Sequence, residues 1–244
     1  MKRIAILGST GSIGRQALDV VRAFPSEFEV FALSAWSNRD LLLKQAEEFH
    51  PTLLWSKDQW SANHLPYETH LAENLTEIVT EDNVDLIVQG MVGNIGLLPT
   101  LAALEAGKKV AMANKEPFVI AGELLTQAAA RGGGQLLPVD SEPSAIWQCL
   151  QGEDAQRSVR RLIITASGGA LRHLPLEEIA KVTPEQALKH PTWDMGQKIT
   201  IDCATLMNKG FEVIESHWLF GMPWDQLDVV IHHQSIIHSM VEFT

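Results

Sequence analysis

Along the first 140 residues, short runs of branched and apolar side chains alternate with stretches whose apolar positions recur at helical spacing. Residues 3–7, 28–34, 85–88, 108–113 and 135–139 read as strands. Between the first two, Ile13, Ala17, Val20, Val21 and Phe24 keep the i, i+4, i+7, i+8, i+11 pattern of a helix lying against a sheet. Further crossover helices are predicted over 94–106, ending at Gly107, and over 116–131, ending at Gly132-Gly133-Gly134. This alternation predicts a parallel sheet flanked by helices. After 139 the rhythm changes to a helix over 145–150, a strand over 160–165, a loop-rich stretch to 198, a helix over 205–220, and strands over 227–231 and 236–243. A second domain is therefore predicted from Asp140. The expected fold class is α/β, with a Rossmann-like domain over 1–139 followed by an α+β domain over 140–244.

The helix over 205–220 is the most informative stretch. At about 100° per residue, Met207, Phe211, Ile214 and Trp218 fall within about 60° of one another, while Asn208, Lys209 and Glu212 group on a different face. Asn208 and Lys209 suit phosphate oxygens, one as an amide donor and the other as a compact positive charge. Glu212 would repel phosphate and is better used on a metal. A second chemical signal, Gly8-Ser9-Thr10-Gly11-Ser12-Ile13-Gly14, follows the first strand directly and opens the first helix. Glycines there allow a tight turn and bring backbone N–H groups and the helix N-terminus close to a pyrophosphate. A carboxylate at the end of the second strand would hold the ribose of NAD, but Ser34-Ala-Trp-Ser37-Asn38-Arg39 contains none. Ser37, Asn38 and Arg39 instead suit a 2′-phosphate, so NADPH is the expected cofactor.

Composition acts mainly by exclusion. With 244 residues, 45% of them apolar, the chain can bury a sizeable core in one large or two modest domains. Nineteen basic against 30 acidic residues, a formal charge of −11, argue against nucleic acid or an anionic membrane as partner. An anionic ligand must then be held by local groups. No apolar run reaches the roughly 18 residues of a membrane span, and Met1-Lys2-Arg3 leads at once into a strand without a signal peptide's apolar segment. A cytoplasmic location is expected. Cys149 and Cys203 are isolated thiols without Cys-x-x-Cys spacing, so neither a disulfide nor a zinc site is predicted.

Asp140 and Glu142 stand at i, i+2 after a strand, and in extended chain both carboxylates point the same way. With Glu212 they make three hard oxygen ligands, a set favouring Mg²⁺ or Mn²⁺ over zinc. Asp-Ser-Glu also reads as a helix cap. His232, His233 and His238 form a competing cluster, although in a strand His232 and His233 would face opposite sides.

Taken together, Gly8–Gly14, Ala113-Asn114-Lys115-Glu116, Pro138-Val-Asp140-Ser141-Glu142, Thr165-Ala-Ser167-Gly-Gly169, His190-Pro-Thr-Trp193-Asp-Met195-Gly196, Met207-Asn208-Lys209-Gly-Phe-Glu212 and Gln234-Ser-Ile-Ile-His238-Ser-Met240 resemble, in order, the motifs of the 1-deoxy-D-xylulose 5-phosphate reductoisomerases. The resemblance spans essentially the whole chain. It implies NADPH-dependent rearrangement and reduction of 1-deoxy-D-xylulose 5-phosphate to 2-C-methyl-D-erythritol 4-phosphate, for isoprenoid synthesis, in a homodimer. It implies that Asp140, Glu142 and Glu212 bind Mg²⁺ or Mn²⁺, with Ser141 and Lys115 beside the reacting end of the substrate. Ser167, His190, Cys203, Asn208 and Lys209 would surround its phosphate, and Trp193 and Met195 would lie on a closing flap. The cofactor would meet the glycine turn, Ser37, Asn38 and Arg39, together with Asn114 and Glu116. The chain departs from the family's pattern at Cys203, where a serine is usual, and at Pro117, Pro143, Ala170 and His233. Family members also continue well past Thr244, so a shortened form is expected. Two alternatives stay open: a metal-free NADP-linked reductase of a small phosphorylated or acidic substrate, and a non-catalytic NADPH-binding module.

Overall fold

The computed structural model describes residues 1–57, 65, 68–153 and 155–244, the side chains of residues 155 and 156 excepted. The chain divides into two compact units, Met1–Val139 and Asp140–Thr244.

In the first unit, strands β1 (Lys2–Leu7), β2 (Phe28–Ala35), β3 (Leu53–Ser56), β4 (His70–Leu71), β5 (Leu86–Gln89), β6 (Lys109–Met112) and β7 (Gln135–Pro138) form one sheet in the order β4-β3-β2-β1-β5-β6-β7. Every described pairing in it is parallel. Helices α1 (Ser12–Ala23), α2 (Arg39–Phe49), α3 (Leu75–Thr80), α4 (Leu97–Glu105) and α5 (Glu116–Gly132) connect the strands. Ile4, Ile6, Leu18, Leu33, Leu42 and Leu54 lie at the centre of its core. Strand order reverses at β1, which pairs β2 on one side and β5 on the other. Ligands of such sheets sit in the crevice that this reversal opens at the carboxyl ends of the strands. Strands β3 and β4 lie outside the sequence pattern, and β4, at two residues, is too short to show a period. The helix predicted over 94–106 is a 3₁₀ turn, Gly93–Gly96, followed by α4. Two glycines are poor starters of a regular helix.

The second unit contains α6 (Ser141–Cys149), the short α7 (Ala155–Ser158), β8 (Val159–Ala166), the single turns α8 (Leu176–Ile179) and α9 (Pro184–Ala187), then α10 (Gln197–Ala204), α11 (Met207–Phe220), β9 (Leu227–Ile231) and β10 (Ser239–Phe243). Central β8 pairs antiparallel with β10 and parallel with β9. Ile146, Val159, Leu162, Ile164 and Met222 form the core beneath. Arg161 ties the sheet across its width, donating to Asp228 on β9 and Glu242 on β10, both at 2.5 Å.

Residues 197–204 form helix α10, which begins at the expected end of the loop-rich stretch and fills positions 199–204, where the sequence pattern assigns no element, despite the branched Ile199, Thr200 and Ile201 that lower helix propensity. Helix α6 starts at Ser141, not 145, so Glu142 sits in its first turn and Asp140 and Glu142 do not share an extended strand. Finally, α11 buries its polar face: Asn208, Lys209, Glu212, Glu215 and Ser216 are buried, while Met207 is 54% exposed. Among the described residues, no helix is long and apolar enough to cross a membrane.

Candidate functional site

The carboxyl end of β1 runs straight into the glycine turn, whose geometry leaves no room for a side chain at positions 8 and 14. Gly8 has φ +82°, and a Cβ on Gly14 would lie 2.4 Å from the Gly8 carbonyl oxygen. Ser9 is wholly buried. Its hydroxyl donates to Gln45 Oε1 at 2.7 Å, and Gln45 Nε2 returns a bond to the Ser9 carbonyl at 3.0 Å. The side chain of Ser9 is thereby engaged in holding the shape of the turn. Gln45 stands on α2, whose N-terminus follows Ser37 and Asn38, so one buried amide couples the glycine turn to that helix. Asn38 also has a structural duty, since its Oδ1 caps α2 by accepting from Leu41 N at 3.3 Å. Arg39 is the first residue of α2. Across the strand reversal, Gln89 at the end of β5 is buried and accepts from Met91 N at 3.1 Å. At the end of β6, Asn114 and Lys115 are buried and Asn114 Nδ2 donates to Glu116 Oε2 at 2.6 Å.

Within the second unit, the N-termini of α6 and α11, the end of α10, the turn after β8 and the segments around 190–195 and 235–238 enclose a cavity of about 330 Å³. Asp140, Glu142 and Glu212 all line it, each offering a carboxylate oxygen, and these oxygens lie within 4.8 Å of one another. Asp140 precedes α6 with ψ 142°, and the chain bends into the helix at Ser141. That bend, not strand alternation, brings the two carboxylates of the Asp-Ser-Glu motif to one place. Ser141 Oγ donates to Glu142 Oε2 at 2.7 Å. Three carboxylates this close repel one another unless a cation lies among them. Lys209 supplies one: its ammonium meets Glu142 Oε1 at 3.1 Å and also bonds Glu212 Oε2. Asn208 Nδ2 donates to Glu212 Oε1 at 2.6 Å. In this structure Lys209 and Asn208 are thus engaged with carboxylates rather than turned to a phosphate. Three hard oxygens at this spacing fit Mg²⁺ or Mn²⁺.

The same cavity also carries hydrogen-bond donors. Ser167, His190, Cys203 and His238 line it. The Ser167-Gly-Gly turn lies directly on α10, where a Cβ on Gly169 would come within 1.8 Å of the Cys203 carbonyl oxygen. Thr165 Oγ1 contacts the carbonyls of Ile237 and His238 at 2.8 and 2.7 Å, pinning the 235–238 segment to β8. His190 Nδ1 accepts from the backbone N–H groups of Thr192 and Trp193 at 3.1 and 3.0 Å. Its ring proton therefore sits on Nε2. Burial and then the nearby Arg172 guanidinium push His190 below the usual histidine range, against a Gly168 backbone bond that acts the other way. His238 Nδ1 is buried and has no hydrogen-bond partner among the described residues. His232 and His233 lie in the turn after β9, not in a strand. His233 Nδ1 meets the Ser167 carbonyl at 3.0 Å, away from the carboxylates.

The sequence pattern overlooked Gln45, Gln89, Thr165 and Arg172. A signal existed for Gln89, a lone amide closing the apolar run of β5.

Comparisons with known proteins converge. The family model described as 1-deoxy-D-xylulose 5-phosphate reductoisomerase matches residues 4–122, and that of the C-terminal domain of the same enzyme matches residues 136–220. The enzymes of that name from Desulforamulus reducens and Chlorobaculum tepidum are each 51% identical over all of this chain, which spans 65% of their length. A crystal structure of DOX-P reductoisomerase with NADPH, fosmidomycin and magnesium superposes with TM-score 0.91 at 39% identity, covering 100% of this chain and 64% of that one. The Zymomonas mobilis enzyme in complex with NADPH gives 0.89 at 40% identity, covering 99% and 64%.

Proposed function

Because the chain belongs to the 1-deoxy-D-xylulose 5-phosphate reductoisomerase family, we propose that it performs NADPH-dependent isomerisation and reduction of 1-deoxy-D-xylulose 5-phosphate to 2-C-methyl-D-erythritol 4-phosphate. The observation that carries this reading is the gathering of Asp140, Glu142 and Glu212 within 4.8 Å, in one cavity with Ser167, His190 and Asn208. Carboxylates and hydrogen-bond donors in one cavity suit a small phosphorylated sugar.

In this reading residues 1–139 form the NADPH-binding domain and residues 140–244 a catalytic domain. The glycine turn and the N-terminus of α1 receive the pyrophosphate, Ser37, Asn38 and Arg39 the 2′-phosphate, and Asn114 and Glu116 the nicotinamide end. NADPH supplies the hydride. Asp140, Glu142 and Glu212 would hold Mg²⁺ or Mn²⁺, which supplies Lewis-acid stabilisation of negative charge on substrate oxygens. The solved relative with NADPH and magnesium supports this pair of cofactors.

This chain's own residues then have distinct tasks. His190 donates its Nε2 proton to a phosphate oxygen, because its Nδ1 is held by Thr192 and Trp193. Phosphate capture at His190 is thereby linked to the placement of Trp193, which excludes water as the 190–195 segment closes. Ser167 and Cys203 complete the phosphate contacts. Asn208 and Lys209 hold Glu212 in place, and Lys209 becomes available to the substrate once another cation takes the carboxylates. Ser141 and Lys115 serve the reacting end. A cytoplasmic homodimer is the expected setting.

The test is NADPH oxidation with 1-deoxy-D-xylulose 5-phosphate, in chelator and with added Mn²⁺. Metal-dependent turnover is expected. Turnover indifferent to chelator would point to a metal-free reductase, and tight NADPH binding without turnover to a cofactor-binding module.

A further inference from the structure

An aromatic and basic group stands at the carboxyl ends of β2 and β3. Strands β2 and β3 pair in parallel register with Ala35 opposite Ser56, so Trp36 and Lys57 are the first residues beyond the two carboxyl ends. Trp36 is 47% exposed, an unusual position for the largest apolar side chain. Its ring leans on Trp55, with centroids 6.3 Å apart and planes tilted by 46°. The ammonium of Lys57 lies 4.4 Å from the Trp36 ring centroid. Ser37, Asn38 and Arg39 follow Trp36 directly, and the stretch from Ala35 to Arg39 carries no acidic residue.

We propose that Trp36 and Lys57 form the seat for the adenosine 2′-phosphate end of the dinucleotide and set the preference of this chain for NADPH over NADH. The proposal rests on the dinucleotide reading of the glycine turn and extends it to two residues outside that motif. Trp36, braced by Trp55, offers a flat face on which a purine can stack. Lys57 and Arg39 bring positive charge to the neighbouring position, where the extra phosphate of NADPH must go. Without ligand, Lys57 rests over the indole face, a weak contact at an exposed site. A phosphate dianion is a much stronger partner for an ammonium than an aromatic ring is. Binding of the 2′-phosphate therefore draws Lys57 off the ring and opens the face to the base. A cofactor without that phosphate leaves Lys57 in place and meets a covered platform.

The experiment measures dissociation constants of NADPH, NADH, adenosine 2′,5′-bisphosphate and AMP for the native chain and for Lys57→Met, Lys57→Arg and Trp36→Ala. Both side chains are at the surface, and equal melting temperatures will verify intact folding. Lys57→Met should weaken NADPH and the bisphosphate by roughly tenfold, as expected for loss of one charge-assisted contact, while NADH and AMP are held as well or better. Lys57→Arg should restore the discrimination, and Trp36→Ala should weaken NADPH and the bisphosphate while leaving NADH and AMP nearly unchanged. If the native chain prefers NADPH and Lys57→Met keeps that preference, the assignment of Lys57 is overturned while the dinucleotide reading stands. A native chain that binds neither dinucleotide overturns both.

Discussion

Removing Lys209 should destabilise the metal-free second unit and strengthen its response to a divalent cation. Lys209 and Glu142 have side chains only 8% and 13% exposed, with Nζ and Oε1 3.1 Å apart. At an effective dielectric constant of about 20, Coulomb attraction at that separation is about 5 kcal/mol, before any bond to Glu212 is counted. Part of this is offset by the desolvation of the ammonium, which the substitution removes. Lys209→Met still leaves three buried or half-buried carboxylates within 4.8 Å of one another and without Lys209's charge. Breaking a buried pair in this way costs about 3–5 kcal/mol. For a unit of this size each kcal/mol moves the midpoint by roughly 4–8 °C, so the transition in chelator should fall by more than about 10 °C. Saturating Mn²⁺ should recover much of the loss, since a ligand at 100 times its dissociation constant contributes about 2.7 kcal/mol. Because Lys209 competes with the metal for the same oxygens, the variant should also bind Mn²⁺ more tightly than the native chain. Calorimetry in chelator and in graded Mn²⁺ measures both effects, and adding Glu142→Gln to Lys209→Met should return part of the stability. A variant that melts within about 2 °C of the native chain in chelator, or gains no more from Mn²⁺, would refute the view of Lys209 as an internal substitute for the metal.

His190 should titrate below the ordinary histidine value of about 6.5 in a ring-proton NMR experiment, and inorganic phosphate should raise that midpoint; a free-protein midpoint at or above the ordinary value contradicts the effect of burial and Arg172 on this ring. Because the folded-state value is depressed, the stability it contributes is whole above the ordinary histidine value and is lost as pH falls from there through the value of His190 itself. Gln45→Leu should remove both bonds to Ser9, destabilise the first unit by about 2–4 kcal/mol and weaken NADPH; an unchanged NADPH affinity would show that the turn keeps its shape without Gln45. Cys203→Ser should lower KM for the phosphorylated substrate by up to a gain of about 1 kcal/mol, a hydroxyl being the better donor, and a raised KM would exclude Cys203 from the phosphate contacts.

Backbone demands were the most legible in sequence. At Gly8 and Gly14 the turn admits no side chain, and chemistry of that kind leaves glycine as its mark. The grouping of Asn208, Lys209 and Glu212 was also legible, because helical spacing is a property of the chain alone. Its direction was not. Apolar periodicity points a helix with its greasy side inward, whereas α11 turns Lys209 and Glu212 into the unit, an inversion expected where a site overrides the pattern. The Asp140–Glu142 pair was found for the wrong geometric reason. Ser141 and Pro143 already mark a helix start, and a two-residue spacing cannot tell a strand from a bend into a first turn. Gln45 and Thr165 were out of reach, since each works through a partner that only the fold brings near, 36 and 72 residues away.

The arrangement of the second sheet also bears on how the chain leaves the ribosome. Its middle strand is made first, and the edge-strand partners of Arg161, Asp228 and Glu242, follow only 67 and 81 residues later. At about 5–20 residues per second, β8 spends several seconds with both hydrogen-bonding edges and its apolar Leu162 and Ile164 unprotected. A guanidinium in that strand makes stray pairing with other nascent strands unfavourable, and it acquires its two carboxylates only when the correct neighbours arrive. Arg161 is then a gatekeeper during synthesis before it is a tie in the finished sheet. Loss of its charge should register in the yield of soluble protein sooner than in the catalytic rate of the molecules that do fold.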